Sequence, residues 1–133
     1  MQKLLLAYDG TDSSQRALDL AAVMTLKFGA SLTVVSVIPT HGGRSPVAPW
    51  DDREVHAQEL LEAGRLLHEK GIEAKLVESA GDVPEQIERF ASEGGFDAIV
   101  IGSRGLSMLG RALQGSVSEH VAANADTTVI VAR

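Results

Sequence analysis

The sequence predicts an α/β protein in which a five-stranded parallel sheet lies between two layers of helices. Apolar runs and amphipathic segments alternate along its 133 residues, as they do in chains built from βαβ units. Three of the apolar runs have almost no polar residue, which is typical of strands buried on both faces. No low-complexity tract or linker interrupts the pattern, so we expect a single domain over residues 1–133.

The first half of the chain contains two buried strands and two helices. Lys3 to Tyr8 is predicted as the first strand, and Asp12 as the N-cap of the helix that follows. Ser31 to Ile38 is the second strand. Thr40 to Asp51, rich in glycine and proline, is expected to be irregular, either a surface crossover loop or a flap near the site. Asp52 to Lys70 is the second helix.

The second half repeats the alternation. Ile72 to Glu78 alternates apolar and polar residues, which predicts a half-exposed strand at an edge of the sheet. A helix follows over Pro84 to Glu93, with Asp82 as its predicted N-cap, and Phe96 to Ile101 is the third of the most apolar strands. The chain then ends with a helix over Ser116 to Asn124 and a strand over Thr128 to Ala132.

The hydrophobicity of the strands predicts their order in the sheet. The first, second and fourth strands are the most apolar and should be central, whereas the third and fifth should be edges. The order 3-2-1-4-5 satisfies this, giving a three-layer α/β/α, Rossmann-like fold with right-handed crossovers. Ligands of such sheets bind beyond the carboxyl ends of the strands, where the strand order reverses. That point lies between the first and fourth strands.

A glycine-rich stretch follows the fourth strand at this predicted point. It consists of Gly102-Ser103-Arg104-Gly105, nine further residues, and then Gly115-Ser116-Val117-Ser118. A strand, a glycine turn and a helix start together present backbone N–H groups to an anion. We expect Gly102 and Gly105 to permit a positive φ and a close approach of the backbone to a ligand. The turn after the first strand, Asp9-Gly10, should face them.

Composition excludes several kinds of function. The net charge is −6 without a basic cluster, which argues against a nucleic-acid surface. Absence of cysteine excludes disulfides and thiolate metal sites. No signal peptide or membrane-spanning run is recognisable, so we expect a cytoplasmic protein that does not bind membranes. The four histidines have no metal-ligand spacing and are interpreted as surface or boundary residues: His41, His56, His68 and His120.

Motifs of catalysis are missing from the sequence. It has neither G-x-S-x-G nor the P-loop pattern G-x-x-x-x-G-K-[ST], and no lysine is placed to reach a transferring phosphate. We therefore expect no enzyme and no catalytic residues, with slow, incidental ATP hydrolysis or autophosphorylation on a serine such as Ser116 as the most that the chain would do.

These residues resemble the universal stress proteins of the UspA-like family over essentially the whole chain. The features that match are Ala7-Tyr8-Asp9-Gly10-Thr11, Val37, Gly81-Asp82 and the complete spacing Gly102-x-x-Gly105, nine residues, Gly115-Ser116. That spacing is the ATP-binding signature of the family. Two features depart from the resemblance: Tyr8 is bulkier than the small aliphatic residue expected there and would crowd the adenine, and the Thr40 to Trp50 loop has no residue that can be assigned.

The resemblance implies a homodimer that binds ATP at the switch point, with Mg²⁺ or Mn²⁺ as an open question. Asp9 would lie near the adenine or ribose, where its carboxylate would accept ribose hydroxyls or meet a cation on the phosphates. The other residues with implied nucleotide contacts are, for the base, Val37 and Ala7; for the ribose and phosphate side, Ile101, Gly102, Arg104 and Gly105; and for the phosphates, Gly115, Ser116, Val117 and Ser118.

Two functions remain open at the level of sequence. One is a nucleotide-dependent regulator or sensor of the stress response that holds ATP as a ligand. The alternative is a nucleotide-free scaffold of the same fold that dimerises and docks on another protein. In both, the apolar last strand, Thr128 to Ala132, is expected to pair with its copy in a homodimer; the alternative is a monomer in which Arg133 and a covering helix protect this edge.

Overall fold

The computed structural model describes residues 1–40, 53–103 and 116–133. Within them the chain forms a five-stranded parallel sheet with the order β3-β2-β1-β4-β5, which confirms the predicted fold class and strand order. The strands and helices, in chain order, are β1 (Lys3–Ala7), α1 (Asp12–Phe28), β2 (Ser31–Pro39), α2 (Arg53–Glu69), β3 (Lys75–Gly81), α3 (Val83–Glu93), β4 (Ala98–Gly102), α4 (Ser116–Asn124) and β5 (Thr128–Ala132).

Each face of the sheet is covered by its own apolar cluster because successive side chains along a strand point to opposite faces. In β1, Leu4 and Leu6 pack on the side of α1 and α2, whereas Leu5 and Ala7 pack on the side of α3 and α4. β1 lies at the centre, with Leu5 paired to both Thr33 and Ile99. None of the helices in the three described ranges is long and apolar enough to span a bilayer.

The predicted start of the third strand is wrong by three residues. β3 begins at Lys75, and the preceding Ile72 instead follows the end of α2, where its N–H donates to the carbonyl of Leu67 at 2.9 Å. Ile72, Ala74 and Leu76 nevertheless pack on the same apolar cluster, so their alternation reports one buried face but not the strand boundary. Alternation alone does not distinguish a strand from an extended connection that packs on the core.

The N-cap of α1 is Thr11 rather than the predicted Asp12. The Thr11 hydroxyl accepts from the N–H of Ser14 at 3.2 Å, whereas Asp12 lies in the first turn of the helix. Asp9, two residues earlier, orients Thr11 for this role by accepting hydrogen bonds from its N–H and its hydroxyl. The predicted cap of α3 is confirmed, since Asp82 accepts from the N–H of Glu85.

Candidate functional site

The candidate site lies where β1 and β4 end side by side at the centre of the sheet. β1 leads into the turn Asp9-Gly10, and β4 leads through Gly102 into Ser103, whose N–H donates to the carbonyl of Ala132 at 2.7 Å. The strand order reverses direction at this point, because β2 continues on one side of β1 and β4 on the other. In open parallel sheets this crevice is where ligands bind.

Asp9 is held at the end of β1 by the first residues of α1. One carboxylate oxygen accepts from the N–H of Thr11 at 3.1 Å and from its hydroxyl at 2.6 Å. The N–H of Asp9 donates to the hydroxyl of Ser14 at 3.3 Å. Gly10 has a φ of 81°, a conformation that glycine adopts without strain. The turn therefore presents a carboxylate with one oxygen occupied.

The protonation of Asp9 is unusual for an aspartate. Burial raises the pKa of its carboxyl to about 6, and the negative charge of Glu59 contributes to the rise. The hydrogen bonds from Thr11 and Ser14 act in the opposite direction but do not compensate for burial. A strongly perturbed carboxyl in a crevice is a feature of functional sites.

An apolar depression lies next to Asp9 on the face of the sheet that carries α3. It brings together Ala7 and Val37, the two residues assigned to the base from the sequence, with Val35, Val83 and Ile87. Its volume is about 10 Å³, far below the ~300 Å³ that is the lower end for small-molecule pockets. A purine base therefore needs α3 and the strand ends to move apart before it can enter.

Tyr8 also lines this depression, but its ring is directed away from it. Its side chain packs with Leu4 and Leu6 on the opposite face of the sheet, beneath α1 and α2. The hydroxyl accepts from Nε2 of Gln15 at 3.0 Å. Burial raises the pKa of Tyr8 to about 12, with Glu59 as the next cause, so the phenol stays neutral.

Gly102 is required for a different reason from the one that the sequence suggested. Its φ is not positive. A Cβ on Gly102 would instead lie 2.7 Å from the backbone carbonyl carbon and oxygen of Ser13, and close to the Ser13 hydroxyl as well. The missing side chain lets the start of α1 pack on the end of β4. Ile101 is fully buried on the other face.

The beginning of α4 meets the end of β4. Val117 is buried with Ile101 in the apolar cluster, so only its backbone N–H is available to a ligand. The Ser118 hydroxyl donates to the carbonyl of Ser103 at 3.1 Å, which fixes α4 to the strand end. N–H groups in the first turn of a helix have no partner within the helix and favour anions. Ser116 is the first residue of α4.

A larger cleft of about 480 Å³ opens beside Ser103 and Ser118. Arg16 of α1 and Arg133 at the end of β5 also line it, together with Glu119. Neither arginine was singled out from the sequence. Arg133 directly follows a strand whose carboxyl end lies at this edge of the sheet, and this position would have been a usable signal.

Three of the residues assigned from the sequence, Arg104, Gly105 and Gly115, lie outside the described residues, as does the loop Thr40 to Trp50 beyond Thr40. His56 corrects another expectation, because it is 5% exposed rather than at the surface or its boundary. Its Nδ1 lies 3.0 Å from a carboxylate oxygen of Glu59. Among residues 1–40, 53–103 and 116–133, no group of three or more side chains could hold a metal ion.

The fold and the strand order define a doubly wound α/β protein with a crevice at its switch point, the place where proteins of this architecture bind ligands. The model of the "Universal stress protein family" matches residues 1–133. The chain therefore belongs to the universal stress protein family, in agreement with the resemblance seen in its sequence. Membership of this family assigns the chain a role in the response to stress.

Relatives and solved structures agree with this assignment. Universal stress protein YxiE of Bacillus subtilis (strain 168) is 29% identical over 150 residues, covering 98% of both chains. A crystal structure of a universal stress protein in complex with cAMP is similar with a TM-score of 0.79 and 25% identity, over 99% of this chain and 97% of that one. The universal stress protein from Archaeoglobus fulgidus in complex with dAMP has a TM-score of 0.73 and 25% identity, over 100% and 98%.

Proposed function

We propose that this chain is a nucleotide-dependent regulator or sensor that binds an adenine nucleotide, with ATP as the expected ligand, at the carboxyl ends of β1 and β4. The observation that carries the proposal is the partly buried Asp9 carboxylate, with its raised pKa, beside the apolar depression at the switch point. Two similar structures, described above, hold cAMP and dAMP, which supports an adenine nucleotide over other ligands.

Each part of the nucleotide has a matching surface. The base would enter between Ala7 and Val37, where apolar side chains suit a flat ring. The ribose hydroxyls would donate to the carboxylate of Asp9. The phosphates would extend into the cleft beside Ser118, where Arg16 and Arg133 supply positive charge.

The glycine segment would complete the phosphate site, on the strength of the resemblance. Gly105, Gly115 and Ser116 belong to the family's ATP-binding signature, and Arg104 stands within it. Backbone N–H groups bind phosphate without the lysine of a P-loop, so ATP would be held as a ligand rather than turned over as a fuel. We propose accordingly that the chain is not an enzyme, and that any hydrolysis is slow.

The small volume of the depression favours the second candidate, a scaffold that works without nucleotide. In that interpretation Ala7, Val37 and α3 stay packed together, and the only role of Asp9 is to stabilise the turn through its hydrogen bond with Thr11. The two candidates differ in a property that is directly measurable, namely whether purified protein contains or takes up a nucleotide.

The test starts with protein purified from cells, denatured, and analysed for released nucleotide by chromatography and mass spectrometry. Nucleotide-free protein is then titrated calorimetrically with ATP, ADP and AMP, with and without Mg²⁺ or Mn²⁺. Val37→Phe fills the depression and should abolish binding. Val129→Phe is the matched control, because Val129 is a partly buried valine of β5 on the same face. Absence of released nucleotide and of binding heat in the wild type would favour the scaffold.

We also propose that β5 pairs with its copy in a homodimer. β5 is an edge strand, and Val131 on it is 38% exposed. An apolar edge with free backbone groups is a template for pairing, and a two-fold axis would let the strand cover itself. Light scattering at micromolar concentration should give twice the mass of the chain. The monomer mass, unchanged on concentration, would contradict the dimer.

A further inference from the structure

Glu59, on the second turn of α2, lies against the turn that carries Asp9. A Cβ on Gly10 would lie 3.0 Å from Oε2 of Glu59 and 3.2 Å from its Cγ, so the carboxylate closes over the Gly10 backbone. The other oxygen, Oε1, lies 3.0 Å from Nδ1 of His56. One side chain thus spans a buried imidazole and the turn of the candidate site.

His56 lies against Glu59. The imidazole is on the inward face of α2, whose other buried residues, Leu60, Ala63 and Leu67, are all apolar. Packing on that face restricts the ring to one orientation. Nδ1 and Oε1 approach each other to 3.0 Å without the geometry of a hydrogen bond, so the ring limits the space open to the Glu59 side chain, which is 27% exposed.

The hydrogen bonds of Asp9 come from the other side of the turn. They run to Thr11 and Ser14, both at the start of α1. Between Asp9 and Thr11 lies Gly10, with a φ of 81°, which has no side chain to fill the space above the turn. Glu59 fills that space from the side of α2.

We propose that Glu59, held by His56, is a positioning residue that sets the place of Asp9 in the nucleotide site. α2 would thereby take part in ligand binding without touching the ligand, through the volume that Glu59 occupies above Gly10. This inference rests on the proposed function, since the position of Asp9 affects affinity only if the site binds a nucleotide. Its structural half, the control of the Asp9 turn by α2, holds for the ligand-free protein as well.

Three variants test the inference. Glu59→Ala removes the packing on Gly10, and Glu59→Gln keeps its volume. Glu62→Ala is the matched control, because Glu62 is an exposed glutamate on the same helix that pairs with Arg65. Adenine-nucleotide affinity is measured by calorimetry. The backbone amide shifts of Gly10 and Thr11 are measured by NMR on nucleotide-free protein.

We expect Glu59→Ala to bind nucleotide about tenfold more weakly, the size of effect that a small misplacement of a binding group produces. Glu59→Gln should bind within about twofold of the wild type, since a group of equal volume restores the contact. The Thr11 amide, which donates to Asp9, should shift in Glu59→Ala and stay in place in Glu62→Ala.

The inference is overturned if Glu59→Ala keeps the wild-type affinity and the wild-type Thr11 shift, even where its melting temperature falls. It is also overturned if Glu62→Ala shows the same changes, or if Glu59→Gln is as weak as Glu59→Ala. A wild type that binds no nucleotide defeats the proposed function instead. The Thr11 shift then still decides whether Glu59 controls the turn.

Discussion

Two aspartates at opposite ends of the sheet accept the same kind of hydrogen bond, but the pKa values of their carboxyls are shifted in opposite directions. Asp97, at the amino end, accepts from the N–H groups of Gln2 and Lys3 at 2.7 and 2.8 Å. Asp9, at the carboxyl end, accepts from the N–H of Thr11 at 3.1 Å. Those backbone bonds hold the pKa of Asp97 below its usual range, whereas burial raises the pKa of Asp9 to about 6.

The difference lies in what surrounds each carboxylate. Asp97 is exposed and has the chain N-terminus and Lys3 nearby, so its charge stabilises the start of β1. Asp9 is partly buried, and the charged group that adds to the rise of its pKa is another carboxylate, that of Glu59. The charge of Asp97 thus stabilises the fold at the amino end of the sheet, whereas the charge of Asp9 lowers the stability at the carboxyl end. An unfavourable charge of this kind is typical of a site kept for a ligand.

The largest expected effect comes from packing at the carboxyl end of the sheet. It tests whether steric contacts restrict this end as well. Gly102→Ala should lower the free energy of unfolding by about 3 kcal/mol, because its Cβ would meet the rigid backbone of Ser13. Gly64→Ala is the control, since its Cβ would meet only the flexible side chain of Leu76 and alanine favours the helix. Urea unfolding measures both, and equal, small effects would show that the contact with Ser13 is easily relieved.

Asp9→Asn tests the cost of the buried charge and should stabilise the protein. A carboxyl whose folded pKa is raised favours folding below its unfolded pKa, and that contribution is lost as the pH rises through about 6. Replacing it with the uncharged amide should therefore raise the free energy of unfolding by roughly 2 kcal/mol at pH 7.5. At pH 4 the gain should vanish. Thermal melting at the two pH values checks this.

Asp97→Asn should have the opposite sign. The lowered pKa of Asp97 means that its charge stabilises the fold above the unfolded pKa, and that this contribution is lost as the pH falls through the folded pKa. We expect the melting temperature to fall by a few degrees at pH 7 and to approach that of the wild type in strong acid. A rise in melting temperature at pH 7 would remove the contrast between the two ends.

The smallest expected effect is the pH dependence of binding. A nucleotide whose ribose donates to Asp9 needs the carboxylate, so affinity should fall about tenfold between pH 7 and pH 5. cAMP is the suitable probe, because a phosphodiester lacks the second phosphate ionisation near pH 6. The slope should disappear in Asp9→Asn. A slope that persists in the variant would assign the titration to another group.

Most of the fold follows from the distribution of apolar residues. The strand order could be predicted because β1, β2 and β4 are the most apolar strands and β3 alternates. The boundaries were less accessible: Ile72 packs on the core without belonging to β3. Asp9 and Val37 could be recognised through the resemblance, and the structure places both at the depression.

The rest of the site depends on contacts between segments far apart in sequence. Gly102 must be a glycine because Ser13 packs on it, a fact that no local pattern contains. His56 is buried although histidine is often exposed, because it lies on the inward face of α2 beside Glu59. The face that holds the ring of Tyr8 follows from the register of β1 and could have been counted from Leu4 and Leu6.

One measurement tests the central claim, that the carboxyl end of the sheet keeps a costly carboxylate for an adenine nucleotide. Wild-type and Asp9→Asn protein are titrated with nucleotide at pH 7.5, and their melting temperatures are recorded without it. We expect the variant to bind at least about tenfold more weakly although it melts at a higher temperature. Equal affinities, or a wild type that binds no adenine nucleotide, would contradict the account.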